Sequence, residues 1–153
     1  MNIVLRKVTA DDFSLLHELA SKCEPLDIHT PYTYWVITHY YSDFCFILED
    51  NGEPVGFITA LINGKCGFIW QIGILQEYRG KRLSSKLIDS VFSSFLKEGI
   101  NSVQVTISPD NQNSYNAFSK YCNAKGYSFQ RISNELIKDG DTVHTETVYQ
   151  ISM

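Results

Sequence analysis

Four basic side chains, Arg79, Lys81, Arg82 and Lys86, crowd into the span 79–86 of a chain whose net charge is −4. The stretch reads Ile74-Leu-Gln-Glu-Tyr-Arg-Gly-Lys-Arg-Leu-Ser-Ser-Lys86 and joins a strand-like segment to a helix-like one. A strand that enters a loop and opens a helix presents unpaired backbone N–H groups at the positive end of the helix dipole. That geometry binds phosphate, and the added cations suit a multiply charged phosphate ligand. A solvated basic turn at a helix start is the competing reading of the same segment. The chain contains neither G-x-x-x-x-G-K-[ST] nor G-x-G-x-x-G, which sets aside nucleoside-triphosphate and dinucleotide loops. It also lacks the G-x-S-x-G nucleophile elbow.

The elements that must hold this loop follow from periodicity. Residues 2–8 alternate as a strand, and Thr9-Ala-Asp-Asp12 offers a capping-box start to a helix through about Ser21. Thr30-Pro31 opens a second helix, a hydroxyl cap followed by proline at the first position. Its sequence, YTYWVITHYY, carries no formal charge, so it is expected to be buried or to line a ligand site. CFILED, a turn over 50–53 and PVGFITALI form a hairpin. A turn at Asn63-Gly64 leads into the strand 67–75, whose alternation puts Phe68, Trp70, Ile72 and Ile74 on one face. Leu83, Leu87, Ile88, Val91, Phe92, Phe95 and Leu96 mark an amphipathic helix over 82–97. A strand over 102–108, a helix over 111–124 and strands over 127–132 and 142–151 complete the reading, with 133–141 as a polar turn or loop. No repeat or linker interrupts the chain, so the expected fold class is α/β, with one domain over 1–153.

Composition narrows the function. A hydrophobic content of 44% supports a packed globule rather than a disordered chain. The apolar runs are too short to cross a bilayer, and the N-terminus reads as a first strand rather than an export signal, which points to the cytoplasm. Cys23, Cys45, Cys66 and Cys122 form no C-x-x-C pair, and His17, His29, His39 and His144 no H-x-x-x-H set, so no metal is expected. The negative charge argues against a nucleic-acid partner and is compatible with a cationic amine substrate.

The pattern Y-R-G-K-x-L-x-x-x-L-I after a strand, followed by P-D-N-x-x-S-x-x-x-F and G-Y, resembles the Gcn5-related N-acetyltransferases over nearly the whole chain. The resemblance implies a mixed, mostly antiparallel sheet flanked by helices and splayed around an acetyl-CoA site. It also implies that the loop Arg79, Gly80, Lys81, Arg82, Leu83 and Ser84 wraps the CoA pyrophosphate through backbone amides. Ile72, Gly73 and Ile74 would pair with the pantetheine arm, and Asn111 and Phe118 would adjoin the cofactor. Two positions depart from the family pattern. Arg82 and Ser84 stand where the loop usually carries small residues, and Arg82 either narrows the loop or turns outward to pair with a CoA phosphate. Phe118 stands where many members have the tyrosine that protonates the leaving thiolate. Another acid then serves, water or a nearby tyrosine, or the thiolate leaves without one.

Within that family the chain is most similar to the diaminobutyrate acetyltransferases of ectoine synthesis. The resemblance is carried by Leu26-Asp27, Tyr32, Tyr34, Trp70-Gln71, Arg79-Gly80-Lys81, Asn111, Ser114, His144, Glu146 and Tyr149. It implies that Asp27, Tyr32, Trp70, His144 and Glu146 hold the side-chain amine substrate L-2,4-diaminobutyrate. The residue types suit that ligand: Asp27 and Glu146 can hold ammonium, Tyr32 and His144 can donate to carboxylate, and Trp70 can offer an aromatic face. An ammonium must lose a proton before it attacks a thioester, and Glu146 is the expected catalytic base. A backbone N–H of the Ile72–Ile74 strand would stabilise the oxyanion. The alternatives are another amine (a polyamine, amino acid or amino sugar) or a non-catalytic acyl-CoA sensor. The expected partners are therefore CoA and a small amine, without nucleic acid or membrane, and a homodimer is left open.

Overall fold

The computed structural model describes residues 1–153. Strand β1 (Ile3–Lys7) precedes helices α1 (Phe13–Ser21) and α2 (Pro31–Tyr40). Strands β2 (Phe46–Asp50), β3 (Glu53–Asn63) and β4 (Cys66–Ile74) form an antiparallel meander. Helix α3 (Leu83–Lys97), strand β5 (Ser102–Ile107), helix α4 (Gln112–Lys125) and strands β6 (Ser128–Asp139) and β7 (Thr142–Ser152) follow. The start signals are present, although the Thr9 box opens a single 3-10 turn, Ala10–Asp12, ahead of α1. Asp12 Oδ2 accepts the Thr9 N–H at 2.7 Å, and Thr30 Oγ1 accepts the Thr33 N–H at 3.2 Å ahead of α2.

The strands make one sheet ordered β1-β2-β3-β4-β5-β7-β6. All neighbours are antiparallel except β4 and β5. Helices α1 and α2 cover one face, packing Leu16, Leu19, Tyr34 and Ile37 with Ile47 and Phe57. Helices α3 and α4 cover the other, packing Leu87, Val91, Phe92 and Phe118 with Leu48, Ile58 and Ile69. Burying these apolar faces on both sides of a sheet drives the three-layer arrangement. The parallel pair is short: β4 and β5 are paired only from Gly67↔Val103 to Ile69↔Val105. Beyond Ile69 the strands part, so the backbone of Ile72–Ile74 has no ladder partner on that side. The gap positions the site. No helix is long and apolar enough to cross a membrane.

Three expectations need correction. The faces of β4 are not set by simple alternation, because Thr59 opposes Gln71 while Ala60 opposes Ile69, leaving Trp70 as an extra residue. This bulge shifts the phase. Ile69 and Ile74 consequently share one core, whereas Trp70 packs against the other. Thr59 Oγ1 satisfies the displaced Gln71 N–H at 3.1 Å. Second, 133–141 is not a loop, since β6 continues to Asp139 and pairs with β7 down to Asp139↔Thr142. Both faces of that ribbon are largely exposed, so no apolar alternation marks it. Third, the uncharged α2 buries one side only, Tyr34, Ile37 and Thr38. Its opposite side exposes Tyr32 and Tyr40, with Trp35 stacked between Tyr32 and His39.

Candidate active site

The cleft where β4 leaves β5 has two compartments that share Pro25, Leu26, Ile72, Asn111 and Ser114 as common wall. The outer one encloses about 530 Å³ between the end of β4, the start of α3 and α4. The inner one, about 160 Å³, is lined by Asp27, His29, Trp70, Gln71, Phe118 and Glu146 among others. Its size admits a small metabolite.

The outer compartment is built around an uncapped helix. Arg82 precedes α3 in the left-handed conformation (φ 61°, ψ 21°), its side chain caps nothing, and the first turn has no acidic residue. The first N–H groups of this 15-residue helix are therefore without partners at its positive end. Leu83, Ser84 and Ser85 line the cavity there, with Gly80 and Arg82 beside them. Ile72, Gly73 and Ile74 line it from β4, and Lys120 adds a further cation from α4. A β-carbon at Gly73 would lie 2.9 Å from Phe57 and 3.0 Å from Cys23, so glycine is what lets the end of α1 close against this wall. The arrangement fits a pantetheine arm along β4 and phosphates at α3.

Several of the expected site residues also have partners within the protein or lie outside the lining. Arg79 lines the cavity, but its guanidinium donates to Ile74 O at 3.2 Å and to Glu24 O at 2.6 Å. It is a strut tying the loop after α1 to the end of β4. Lys81 lies outside the lining, its ammonium 5.3 Å from the Tyr78 ring centroid. Asn111 lines both compartments while its Oδ1 caps α4 by accepting the Ser114 N–H at 3.2 Å. Phe118 is fully buried and bounds the inner compartment. Tyr78, the tyrosine on the outer wall, donates its hydroxyl to Asp50 Oδ2 at 2.8 Å. The free hydroxyl at the junction of the compartments belongs to Ser114.

The inner compartment collects acids. His144 Nε2 lies 3.2 Å from Glu146 Oε1 and 3.5 Å from Asp27 Oδ2, joining β7 to the segment before α2. That segment is fixed by Gln71, which accepts from the Tyr34 hydroxyl at 2.9 Å and donates to Asp27 O at 2.6 Å. Glu146 Oε2 is buried without a partner. Burial pushes the Glu146 carboxyl above the usual carboxylate range, His144 opposes the shift, and the charges of Asp27 and Asp110 add to it. A carboxylate with a raised pKa and a free lone pair in a cavity is able to receive a proton from a bound amine. Asp27, Trp70 and Glu146 thus converge, braced by His144. Tyr32 does not join them: it is 71% exposed and stacks on Trp35 outside the lining. Gln71, His29 and Lys120 also line the cleft, although they are not among the residues expected from the sequence. Gln71 left a signal in the Trp70-Gln71 pair that carries the resemblance, and Lys120 in the small and polar stripe Asn113, Asn116, Ala117 and Lys120 at helical spacing along α4.

Residues 13–123 match the acetyltransferase (GNAT) family. The chain is 32% identical over 156 residues to the L-2,4-diaminobutyric acid acetyltransferase of Halalkalibacterium halodurans, spanning 97% of this chain and 81% of that protein. It is equally similar, 32% over 154 residues, to the protein of the same name from Shouchella clausii, spanning 97% and 86%. Among solved structures, the diaminobutyrate acetyltransferase of Paenibacillus lautus, in complex with L-2,4-diaminobutyric acid and coenzyme A, superposes with a TM-score of 0.91 at 25% identity. That likeness covers 99% of this chain and 95% of the other. The ribosomal-protein-S18-alanine N-acetyltransferase of Escherichia coli shares the fold at 12% identity and a TM-score of 0.80, over 99% and 95% of the two chains. Likeness on this scale, over a cleft of this shape, establishes that the chain belongs to the GNAT acetyltransferases and is an acetyl-CoA-dependent N-acetyltransferase.

Proposed function

We propose that the chain acetylates the side-chain amine of L-2,4-diaminobutyrate, with Glu146 as the base. The observation that carries this reading is the unpaired, buried Oε2 of Glu146 in a small compartment contiguous with the cofactor cleft. Asp27 and Glu146 hold the two ammonium groups of a diamino acid, and Trp70 flanks its aliphatic part. On the cofactor side, the amides at Leu83–Ser85 with Arg82 and Lys120 hold phosphate, and Ile72–Ile74 offer free backbone N–H groups to a developing oxyanion. Bound acetyl-CoA supplies the activated acetyl group. The names of the relatives from Halalkalibacterium, Shouchella and Paenibacillus support this substrate. The reading carries with it a single catalytic domain over 1–153, a cytoplasmic location and a place in ectoine synthesis. Four free cysteines fit the location. Exposed Ile132, Leu136 and Ile137 on the edge strand β6 support assembly as a homodimer.

Incubation with acetyl-CoA and a panel of amines, read by mass spectrometry, tests the assignment. Diaminobutyrate should be acetylated on its side-chain nitrogen faster than ornithine, lysine, polyamines or amino sugars; faster turnover of a polyamine or amino sugar overturns it. The role of Glu146 has its own signature. Its base form is lost as pH falls through a pKa above the ordinary carboxylate range, so kcat/KM should fall on that acidic limb. Glu146→Gln should abolish the limb and cut kcat/KM by about a hundredfold. The same raised pKa means that the carboxyl's contribution to folding is present at low pH and lost as pH rises through it. Glu146→Gln should therefore melt slightly higher than the parent at neutral pH.

A further inference from the structure

Two buried polar side-chain atoms of the molecule lack a hydrogen-bond partner: Glu146 Oε2 and His29 Nε2. Both residues line the inner compartment. His29 lies just before the α2 cap Thr30, its ring centroid 5.5 Å from that of Trp70 and 5.7 Å from that of Tyr34. Aromatic neighbours flank the ring, and no protein acceptor serves Nε2. Burial lowers the pKa of His29 more than the charge of Asp27 raises it, which favours the neutral ring with one N–H to donate.

The lining of this compartment has a distinctive balance. It includes two carboxylates, Asp27 and Glu146, and no lysine or arginine. Ammonium groups are provided for twice, whereas a ligand carboxylate finds no cation. Of the hydroxyls on the same walls, Ser108 already donates to Asp110, and that of Ser114 lies at the junction with the outer compartment. Donors that water can reach lose little by staying unmatched, but a buried ring nitrogen without a partner is destabilising until a ligand supplies one. One orphaned acceptor and one orphaned nitrogen in the same small cavity are satisfied together by a molecule carrying both an ammonium and a carboxylate.

We infer that His29 is a substrate-binding residue whose Nε2–H donates to the carboxylate of the amino-acid substrate, setting the preference for a diamino acid over a plain diamine. The inference rests on the diaminobutyrate reading and adds the residue that recognises the acid end. The test compares L-2,4-diaminobutyrate with 1,3-diaminopropane, which keeps both amines and lacks the carboxylate. In the parent enzyme diaminobutyrate should be preferred. His29→Ala should raise KM for diaminobutyrate by about tenfold with little change in kcat, and leave diaminopropane unaffected. His29→Gln, which restores a side-chain N–H, should recover most of the preference. If His29→Ala does not fold, His29→Leu removes the donor at similar bulk. A preference for diaminobutyrate that survives loss of the imidazole, or equal losses on both substrates, overturns the role of His29 alone. Preference of the parent for diaminopropane, or turnover of neither compound, overturns the substrate reading itself.

Discussion

Helices α3 and α4 both begin on the outer compartment, yet only α4 caps its own first turn. Asn111 Oδ1 accepts the Ser114 N–H, whereas α3 starts from a left-handed Arg82 whose side chain caps nothing. A cap and a ligand compete for the same backbone groups, so a helix end that satisfies itself becomes wall and one that does not becomes site. The difference teaches where to look for the phosphate: at the helix start that is worse built for stability.

Swapping these properties should have unequal effects. The largest is expected for Ser84→Asp, which puts a carboxylate in the first turn of α3. Such a charge favours the helix by about 0.3–1 kcal/mol. It also repels phosphate, so KM for acetyl-CoA should rise by about a hundredfold without loss of thermal stability. Gln112→Asp, at the start of α4, should leave KM nearly unchanged, and equal effects at the two helices would remove the distinction.

Arg82 comes next. Arg82→Ala and Arg82→Gly both delete the guanidinium on the cleft wall, and each should raise KM for acetyl-CoA by about tenfold, the scale of one charge-assisted hydrogen bond. The two should separate in stability. Glycine accepts φ 61° freely while alanine keeps a strained β-carbon, so the glycine variant should be more stable than the alanine variant by up to about 1 kcal/mol in denaturant unfolding. A KM unchanged in both would place the Arg82 side chain in solvent.

The smallest change is expected for Asn111→Ala. Loss of the α4 cap should cost about 1 kcal/mol, a fall in Tm of about 3 °C, with a modest change in KM. A rise in KM without a loss of stability would instead assign Asn111 to the cofactor.

Legibility followed locality. The capping signals at Thr9 and Thr30, the strand–loop–helix junction and the amphipathic α3 depend on neighbours in sequence, and they appear where their residues predict. The bulge at Trp70 depends on the Thr59 hydroxyl across the strand pair, a partner that no pattern within β4 reveals. Arg79 and Arg82 look alike as cations beside a phosphate loop, and only the carbonyls of Ile74 and Glu24 show that Arg79 is committed elsewhere. The ribbon over 133–141 has no buried face, so its strand character leaves no apolar signature. His29 is harder still, because its significance lies in a partner that the folded chain does not provide.

The two ends of the cleft also differ in what holds them. From Thr147 onward β7 is bonded on both sides, to β5 and to β6, but from Thr142 to Glu146 it pairs with β6 alone. His144 and Glu146 ride on that two-stranded ribbon, beyond the seven-stranded ladder and away from most of both cores, while the cofactor side is anchored in them. Exchanges in the ribbon should therefore disturb the acetyl-CoA cleft less than exchanges in the seven-stranded ladder. In evolutionary terms, exchanges in the ribbon would alter the proposed base and its histidine brace together, while Asp27, Trp70 and the cofactor wall keep their places on the older frame.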